Sequence, residues 1–325
     1  MLANRDARTA TWRYADAFEF MERVRAGLPP AMICVACNGG LQGRESHPAL
    51  PETADEIADS VHEAYRAGAS MVHVHARNPN NLPQGATSTE VWVAVNSKIR
   101  ERCPDIIINN TTGGDLQMTM AERLSCLAAR PEVASLNLTP DMQRFRVKER
   151  KAPLPHPRAA IEYDSCLPFT YGQIEEFARL MRAHGVKPEL ETYHTGGAAV
   201  VQSLIERDFV EAPYLIQTVM GTQTASYPTP ENVIHLLREL PENTVWLCSG
   251  IGPFQLPMTT FAILMGGHPR VGLEDNLYRR RGQRFENNAE AVMRTAGLIN
   301  ELNREVATPA QARRLLGLAA EPTRY

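Results

Sequence analysis

The feature that most constrains this chain is an alternation. Eight short apolar runs, rich in β-branched residues, are separated by longer stretches with helical spacing. The runs are MICVAC (32–37), MVHVHA (71–76), IIINNT (106–111), VASLNL (133–138), ELETYH (189–194), YLIQTVM (214–220), TVWLCS (244–249) and RVGLED (270–275). Between them, segments such as 53–68, 88–103, 170–185 and 230–241 repeat apolar residues at intervals of three and four, the period of one helix face. Strand–helix alternation of this kind produces parallel βαβ units. Eight of them close a (β/α)8 TIM barrel more naturally than an open sheet, and no strand is followed by the G-x-G-x-x-G turn of a dinucleotide fold. At 325 residues the chain exceeds the roughly 250 residues of a minimal barrel. We therefore read residues 31–325 as one barrel domain, preceded by an N-terminal helical extension over 1–30. There AFEFMERVRAG is an amphipathic helix that covers the barrel or meets another subunit. Residues 139–169, rich in proline and charge, form a long loop after the fourth strand. Such a loop lies on the C-terminal face, where barrels keep their active sites, and often closes over them. Thr308-Pro309 reads as the N-cap and first position of a last helix.

Charge and cysteine usage exclude several function classes. Lys plus Arg number 34 against 37 Asp plus Glu, a net charge of −3, which offers no cationic excess for nucleic acid. No run approaches 18 apolar residues, so no membrane span is expected, and the N-terminus lacks the apolar core of a secretory signal. The six cysteines read as reduced, buried thiols of a cytoplasmic protein. Cys34-x-x-Cys37 sits in an apolar strand, where i and i+3 face opposite ways, and no second CxxC accompanies it.

His73-Val74-His75 is the sharpest local signal. Residues i and i+2 of a strand share a face with Cα atoms about 6.5–7 Å apart, so two imidazoles can converge on one ion. The alternative is a pair of core histidines, each of which would need a hydrogen-bond partner. A late strand ends in Glu274-Asp275, adjacent carboxylates that should point opposite ways and do different jobs. Glu274 could meet His73 and His75, since the eighth strand of a barrel neighbours the first and the second lies just beyond. Two histidines and one carboxylate leave an open position, the pattern of a catalytic metal site. Arg270 would pair with Asp275 and orient it as a proton acceptor. Thr111, Thr112 and Gly113, at the end of the third strand, offer hydroxyls and backbone N–H groups to a carboxylate or developing oxyanion. Ser135 and Asn137 share one face of the fourth strand. Glu191 is a carboxylate inside a strand and needs a partner there.

Taken together these segments resemble the β-keto acid cleavage enzyme family, typified by the 3-keto-5-aminohexanoate cleavage enzyme. The resemblance rests on Ala36-x-Asn38-Gly39-Gly40, GASMVHVHAR (68–77), IIINNTTGG (106–114), SLN (135–137), KPELE (187–191), GGHPRVGLEDN (266–276) and ATPAQARRLLGL (307–318), in that order. It implies a zinc-bearing (or other divalent-metal) barrel that forms a homo-oligomer, a dimer or tetramer. It also implies condensation of a β-keto acid with acetyl-CoA to give acetoacetate and a CoA thioester. On the matching positions, His73, His75 and Glu274 fall on the metal ligands, and Arg270 and Asp275 on a proton-abstracting pair. Thr111 and Ser135 fall on hydroxyls that hold substrate, and Glu191 on an acidic residue nearby.

Departures from the family pattern bear on specificity. Where the family commonly has an acid that pairs with a cationic substrate group, this chain has Leu41, so its substrate is expected to lack a positive charge there. The acidic position after the fifth strand is His194, and the family's G-I-G-R is Gly250-Ile251-Gly252-Pro253. The loop after the SLN strand carries Arg144, Arg146, Lys148 and Arg150, read either as a solvated basic face or as contacts to CoA phosphates. A different metal-dependent barrel lyase, aldolase or hydrolase, or a non-catalytic binder of keto acids or acyl-CoA, stays open on the residues alone.

Overall fold

The computed structural model describes residues 13–14, 16–114, 118–167 and 169–325. The part of the N-terminal expectation that falls on 1–12 lies outside them. Each of the eight runs becomes a strand: β1 (Cys34–Ala36), β2 (Met71–Val74), β3 (Ile107–Asn110), β4 (Val133–Asn137), β5 (Lys187–Thr192), β6 (Tyr214–Met220), β7 (Thr244–Gly250) and β8 (His268–Val271). They pair in chain order, all parallel, and β8 closes on β1. The alternation expected of a (β/α)8 TIM barrel is therefore the fold observed.

The pleat sorts side chains into two environments, and along the barrel axis the inner set changes character. At the N-terminal ends Met71, Ile107, Val133, Leu215 and Val245 form one buried cluster with Met32 and Cys34. A helix near the end of the chain, Pro309–Leu316, adds Ala312 and Leu316 to that cluster and so plugs the barrel floor. Its N-terminus is the expected one, with a capping box between Thr308 and Gln311 and proline in the first turn. Further along five of the strands the inner positions turn polar: His73, Asn109, Ser135, Glu189 and Gln217. All five are buried. Polar groups at that depth need partners, and neighbouring strands supply them: His73 stands beside Asn109, which donates to Glu189 at 2.6 Å, and Gln217 stands beside Glu191, to which it donates at 3.1 Å.

Residues 139–169 contain more order than a loop. Asp141–Val147 and Ile161–Leu167 pair as an antiparallel hairpin from Asp141↔Leu167 to Val147↔Ile161. The alternation that should have revealed this is masked by its basic residues. Arg150 is neither solvated nor free for a ligand. Its side chain is fully buried, bonded to both oxygens of Glu52 at 2.6 and 2.8 Å and to Glu45 at 2.9 Å. Arg144 pairs with Asp164 at the exposed surface. Cys166, in the hairpin, is exposed, a correction to the expectation of buried thiols, while the other five are buried. Burial pushes the thiols of Cys34 and Cys37 up, and the two side chains enter different clusters, as opposite strand faces require. The N-terminal helix, Ala17–Ala26, buries none of its residues and exposes Phe18, Met21 and Val24. Among the described residues no helix is long and apolar enough to cross a membrane.

If the terminal helix is the floor of the barrel, truncating Leu316 to Ala opens a cavity in a closed cluster. The expected cost is about 2–5 kcal/mol, read as a shift of the chemical unfolding midpoint. The same change at Leu318, which only flanks the cluster, should cost less.

Candidate active site

β2 ends at Val74, so His73 lies in the strand and His75 just past it. Asn38, fully buried beyond β1, fixes His75: its Nδ2 donates to the His75 carbonyl at 2.7 Å, and its Oδ1 accepts from the His75 N–H at 3.1 Å. Arg77 in turn holds the loop after β1, donating to the carbonyls of Gly39, Gly40 and Gln42. The imidazoles converge, with Nε2 to Nε2 at 3.2 Å. Glu274 Oε1 lies 3.3 Å from His75 Nε2 and 3.8 Å from His73 Nε2. Gly39 is a glycine for two reasons: its φ is +68°, and a Cβ there would stand 2.9 Å from Glu274 Cγ.

Glu274 arrives by a route the sequence did not suggest. The strand expected to run to 275 stops at Val271, and Leu273–Asp275 form a turn. Gly272 makes the break, at φ +140°, where a side chain would collide with the Ala36 carbonyl. Asn276 N–H closes the turn on the Gly272 carbonyl at 3.1 Å, and Glu274 N–H donates to Ala36 at 3.2 Å. The two carboxylates consequently do not point to opposite faces of a strand; both reach Arg270. Its Nε and Nη2 grip Asp275 at 3.0 and 3.1 Å, Nη2 also meets Glu274 at 2.8 Å, and Nη1 faces Glu191 at 3.5 Å. Burial raises Asp275 to about 6 despite Arg270. Burial and the charge of Glu189 raise Glu191 to about 8. For Glu274 burial is outweighed by His75 and Arg270, which hold it well below the ordinary range. His73 is pushed well down by burial and by Arg270.

These groups form the floor of a cavity of about 530 Å³ at the C-terminal mouth of the barrel. The sequence pattern of the beta-keto acid cleavage enzymes matches residues 30–318. The chain belongs to that family. It is 33% identical over 287 residues to the 3-keto-5-aminohexanoate cleavage enzyme of Fusobacterium nucleatum, covering 88% of this chain and 97% of the relative. It is 32% identical to the 3-oxoadipate:acetyl-CoA acetyltransferase of Cupriavidus necator, covering 89% and 95%. Among solved structures, the apo structure of ObcA superposes with a TM-score of 0.65 at 20% identity, over 83% of this chain and 66% of that one, a likeness of fold.

For a member of the β-keto acid cleavage family, the remaining expected residues sort by whether they reach the cavity. Thr111, Gly113, Asn137, Glu191 and Leu41 line it with the histidines and the carboxylates. Ser135 and Thr112 are buried beneath it and brace the turn after β3: Ser135 Oγ accepts from Thr112 N–H at 3.1 Å, and Thr112 Oγ1 donates to the Ser135 carbonyl at 2.6 Å. Gly113 N–H is bonded to Thr111 Oγ1 at 3.0 Å. His194 lies outside the lining, its Nδ1 accepting from Gly196 N–H at 3.1 Å, and the neighbouring Tyr193 lines the cavity instead. Asn38, Arg77, Asn109, Glu189 and Gln217 had not been singled out as site residues. Asn109 donates to Glu189 at 2.6 Å, Glu189 lies 3.9 Å from His73 Nδ1, and Gln217 donates to Glu191 at 3.1 Å. Glu189 and Asn109 were within reach of strand periodicity, being two residues before Glu191 and two before Thr111.

His73, His75 and Glu274 each offer a ligand atom, all within 4.8 Å of one another. Two atoms bound at about 2.0–2.1 Å to one tetrahedral ion stand about 3.4 Å apart, in the range seen here. Glu274 Oε2 is buried with no hydrogen-bond partner among the described residues, a further sign that this donor set fits a cation.

Replacing Arg270 by Met would leave Glu191, Glu274 and Asp275 enclosed without their shared cation. Breaking a buried ion pair from one side costs about 3–5 kcal/mol, so a clear drop in the thermal unfolding midpoint is expected.

Proposed function

We propose that the chain cleaves a β-keto acid with acetyl-CoA, giving acetoacetate and a new CoA thioester, at a divalent metal, zinc by its donor set, held by His73, His75 and Glu274. The observation that carries this is the meeting of that N,N,O triad with the bidentate Arg270–Asp275 pair on one cavity floor. The names of the relatives support acetyl-CoA as the co-substrate. A metal in the triad would supply a Lewis acid for the keto oxygen.

The chain's own groups account for the rest. Asp275, its carboxylate held at both oxygens by Arg270, takes a proton from C2 of the keto acid. C2 then bonds to the acetyl carbonyl carbon and the CoA thiolate leaves. That thiolate adds to the original keto carbon, the C2–C3 bond breaks, and the proton returns to C2 from Asp275. Atoms balance: the acyl group R–CO passes to CoA, and the acetyl group to the two-carbon fragment. The Thr111 hydroxyl, the Gly113 segment and Asn137 hold the substrate carboxylate, with Ser135 and Thr112 fixing the turn that presents them. Glu191, largely protonated at neutral pH, lets Arg270 act on its neighbours.

Among the described residues, no cavity carboxylate is free to receive an ammonium group. Asp141 accepts from Gln143 at 2.7 Å and from Thr224, and the other three face Arg270. With Leu41 at the wall, the substrate lacks a cation. The same reading takes residues 31–325 as one barrel domain after an extension over 1–30. It takes the enzyme as cytoplasmic, supported by its free thiols, and as a homo-oligomer, supported by the uncovered Phe18, Met21 and Val24.

The test is acetoacetate formation by purified, metal-analysed protein given acetyl-CoA and a panel of β-keto acids. Turnover should require acetyl-CoA; acetoacetate from none of the acids overturns the proposal. Asp275→Asn should lower kcat by about 10²–10⁴-fold with metal content unchanged, whereas His75→Ala should lose the metal as well.

A further inference from the structure

The cavity has two unlike sides, and the hairpin that roofs it runs from one to the other. At its first strand's start, Asp141 and Arg144 are bound to Thr224 and Gln223 of the loop after β6; Arg144 N–H donates to Gln223 Oε1 at 2.6 Å. Three residues beyond that strand's end, Arg150 is buried against Glu45 and Glu52 of the loop after β1, the loop that carries Leu41. The roof is therefore pinned at both ends, and its inner surface is a fixed wall. That wall changes along its length. Near β6 it presents Gln143, Gln223 and Tyr193 with Val219; towards β1 the lining includes Phe145, Val147 and Leu41, with Gln42, Ser46 and Arg146.

Val147 is only 5% exposed yet lies outside the core clusters and lines the cavity instead. Phe145 is held in place by stacking on Tyr163, ring centroids 5.0 Å apart. Two of the polar side chains in the lining are committed elsewhere: Gln42 Nε2 donates to the Leu273 and Glu274 carbonyls at 3.4 and 3.3 Å, and Gln143 Nε2 to Asp141. Arg146 also lines the cavity, but from the other face of the strand from Phe145 and Val147 and with an exposed side chain. The surface that Leu41, Phe145 and Val147 together offer a substrate is apolar.

We propose that the end of the keto acid beyond its keto carbon is an uncharged, extended hydrocarbon chain, seated against Leu41, Phe145 and Val147. This rests on the cleavage activity proposed above and names its substrate class. Burial of each added methylene then strengthens transition-state binding by about fourfold, until the wall is filled.

The experiment measures kcat/KM with saturating acetyl-CoA for 3-oxopentanoate, 3-oxohexanoate and 3-oxooctanoate, beside 3-oxoadipate and 5-amino-3-oxohexanoate. A rise of about fourfold per methylene over the first added carbons is expected, with the two charged acids at least tenfold below the neutral acid nearest in length. A flat series, or preference for either charged acid, overturns the inference while leaving the cleavage activity standing. No acetoacetate from any acid overturns both. Val147→Phe, filling the wall, should lower the ratio of 3-oxooctanoate to 3-oxopentanoate turnover at least tenfold, and an unchanged ratio overturns the assignment. Should that variant not fold, Leu41→Glu replaces it: the expected result is a shift of at least tenfold towards the amino-bearing acid, and no shift overturns it.

Discussion

Four carboxylates, Glu189, Glu191, Glu274 and Asp275, are enclosed in the upper half of one barrel, and a single guanidinium, Arg270, faces three of them. Burying one unpaired carboxylate is costly, and four together would repel one another as well. Arg270 suits the position because its planar fork can grip Asp275 with two nitrogens while a third turns to Glu191. It comes from the last strand, between the carboxylates of the turn and those of β5. The charge left over is met unequally. Glu274 is held low because it also faces His75, while burial raises Glu191 and Asp275. The site's division of labour follows from that inequality: one carboxylate suited to hold a cation, one to exchange a proton, one to stay neutral.

Such a cluster is tolerable only because the rest of the barrel is apolar. The lower interior is closed by aliphatic side chains and by the terminal helix, so the polar layer stands on a dry floor. The period of two residues along each strand does the sorting: one step places Met71, Ile107 and Val133 in the core, and the next places His73, Asn109 and Ser135 beneath the cavity. A (β/α)8 barrel can carry such a site at its C-terminal mouth because loops, rather than the barrel's hydrogen-bonded wall, complete it.

How much was legible in the sequence depended on whether a residue's role was local. The eight strands and the His73–His75 pair follow from spacing within a few residues, and all are present, the last strand ending at Val271 rather than 275. The Glu274–Asp275 pair was legible as chemistry but not as geometry. Its turn depends on Gly272 lying against the Ala36 carbonyl, a contact between residues more than two hundred positions apart. Glu189 and Asn109 were hidden for the opposite reason, since each looks like one polar residue in an apolar run until the closed barrel brings their side chains together across β4. The hairpin was unreadable because its partner strands are separated by a proline-rich turn and its basic residues suggested a solvated loop. Ser135 and His194 show the remaining limit: motif position placed them near the site, but only coordinates distinguish a residue that lines the cavity from one that supports a turn.

Arg150 shows why that distinction matters for specificity. It touches nothing in the cavity, yet its buried bonds to Glu45 and Glu52 tie the roof to the loop carrying Leu41 and Gly39, and Gly39 leaves the room that Glu274 occupies. Taken alone, such a cluster is weak evidence for stability, because desolvating three charges offsets much of their attraction. Its consequence is positional. Two segments that would otherwise move independently are held in one arrangement, so the apolar wall keeps a fixed distance from the carboxylate turn. A wall that cannot recede discriminates by the length and polarity of what lies against it, and the chemistry at Asp275 stays the same for every chain that fits.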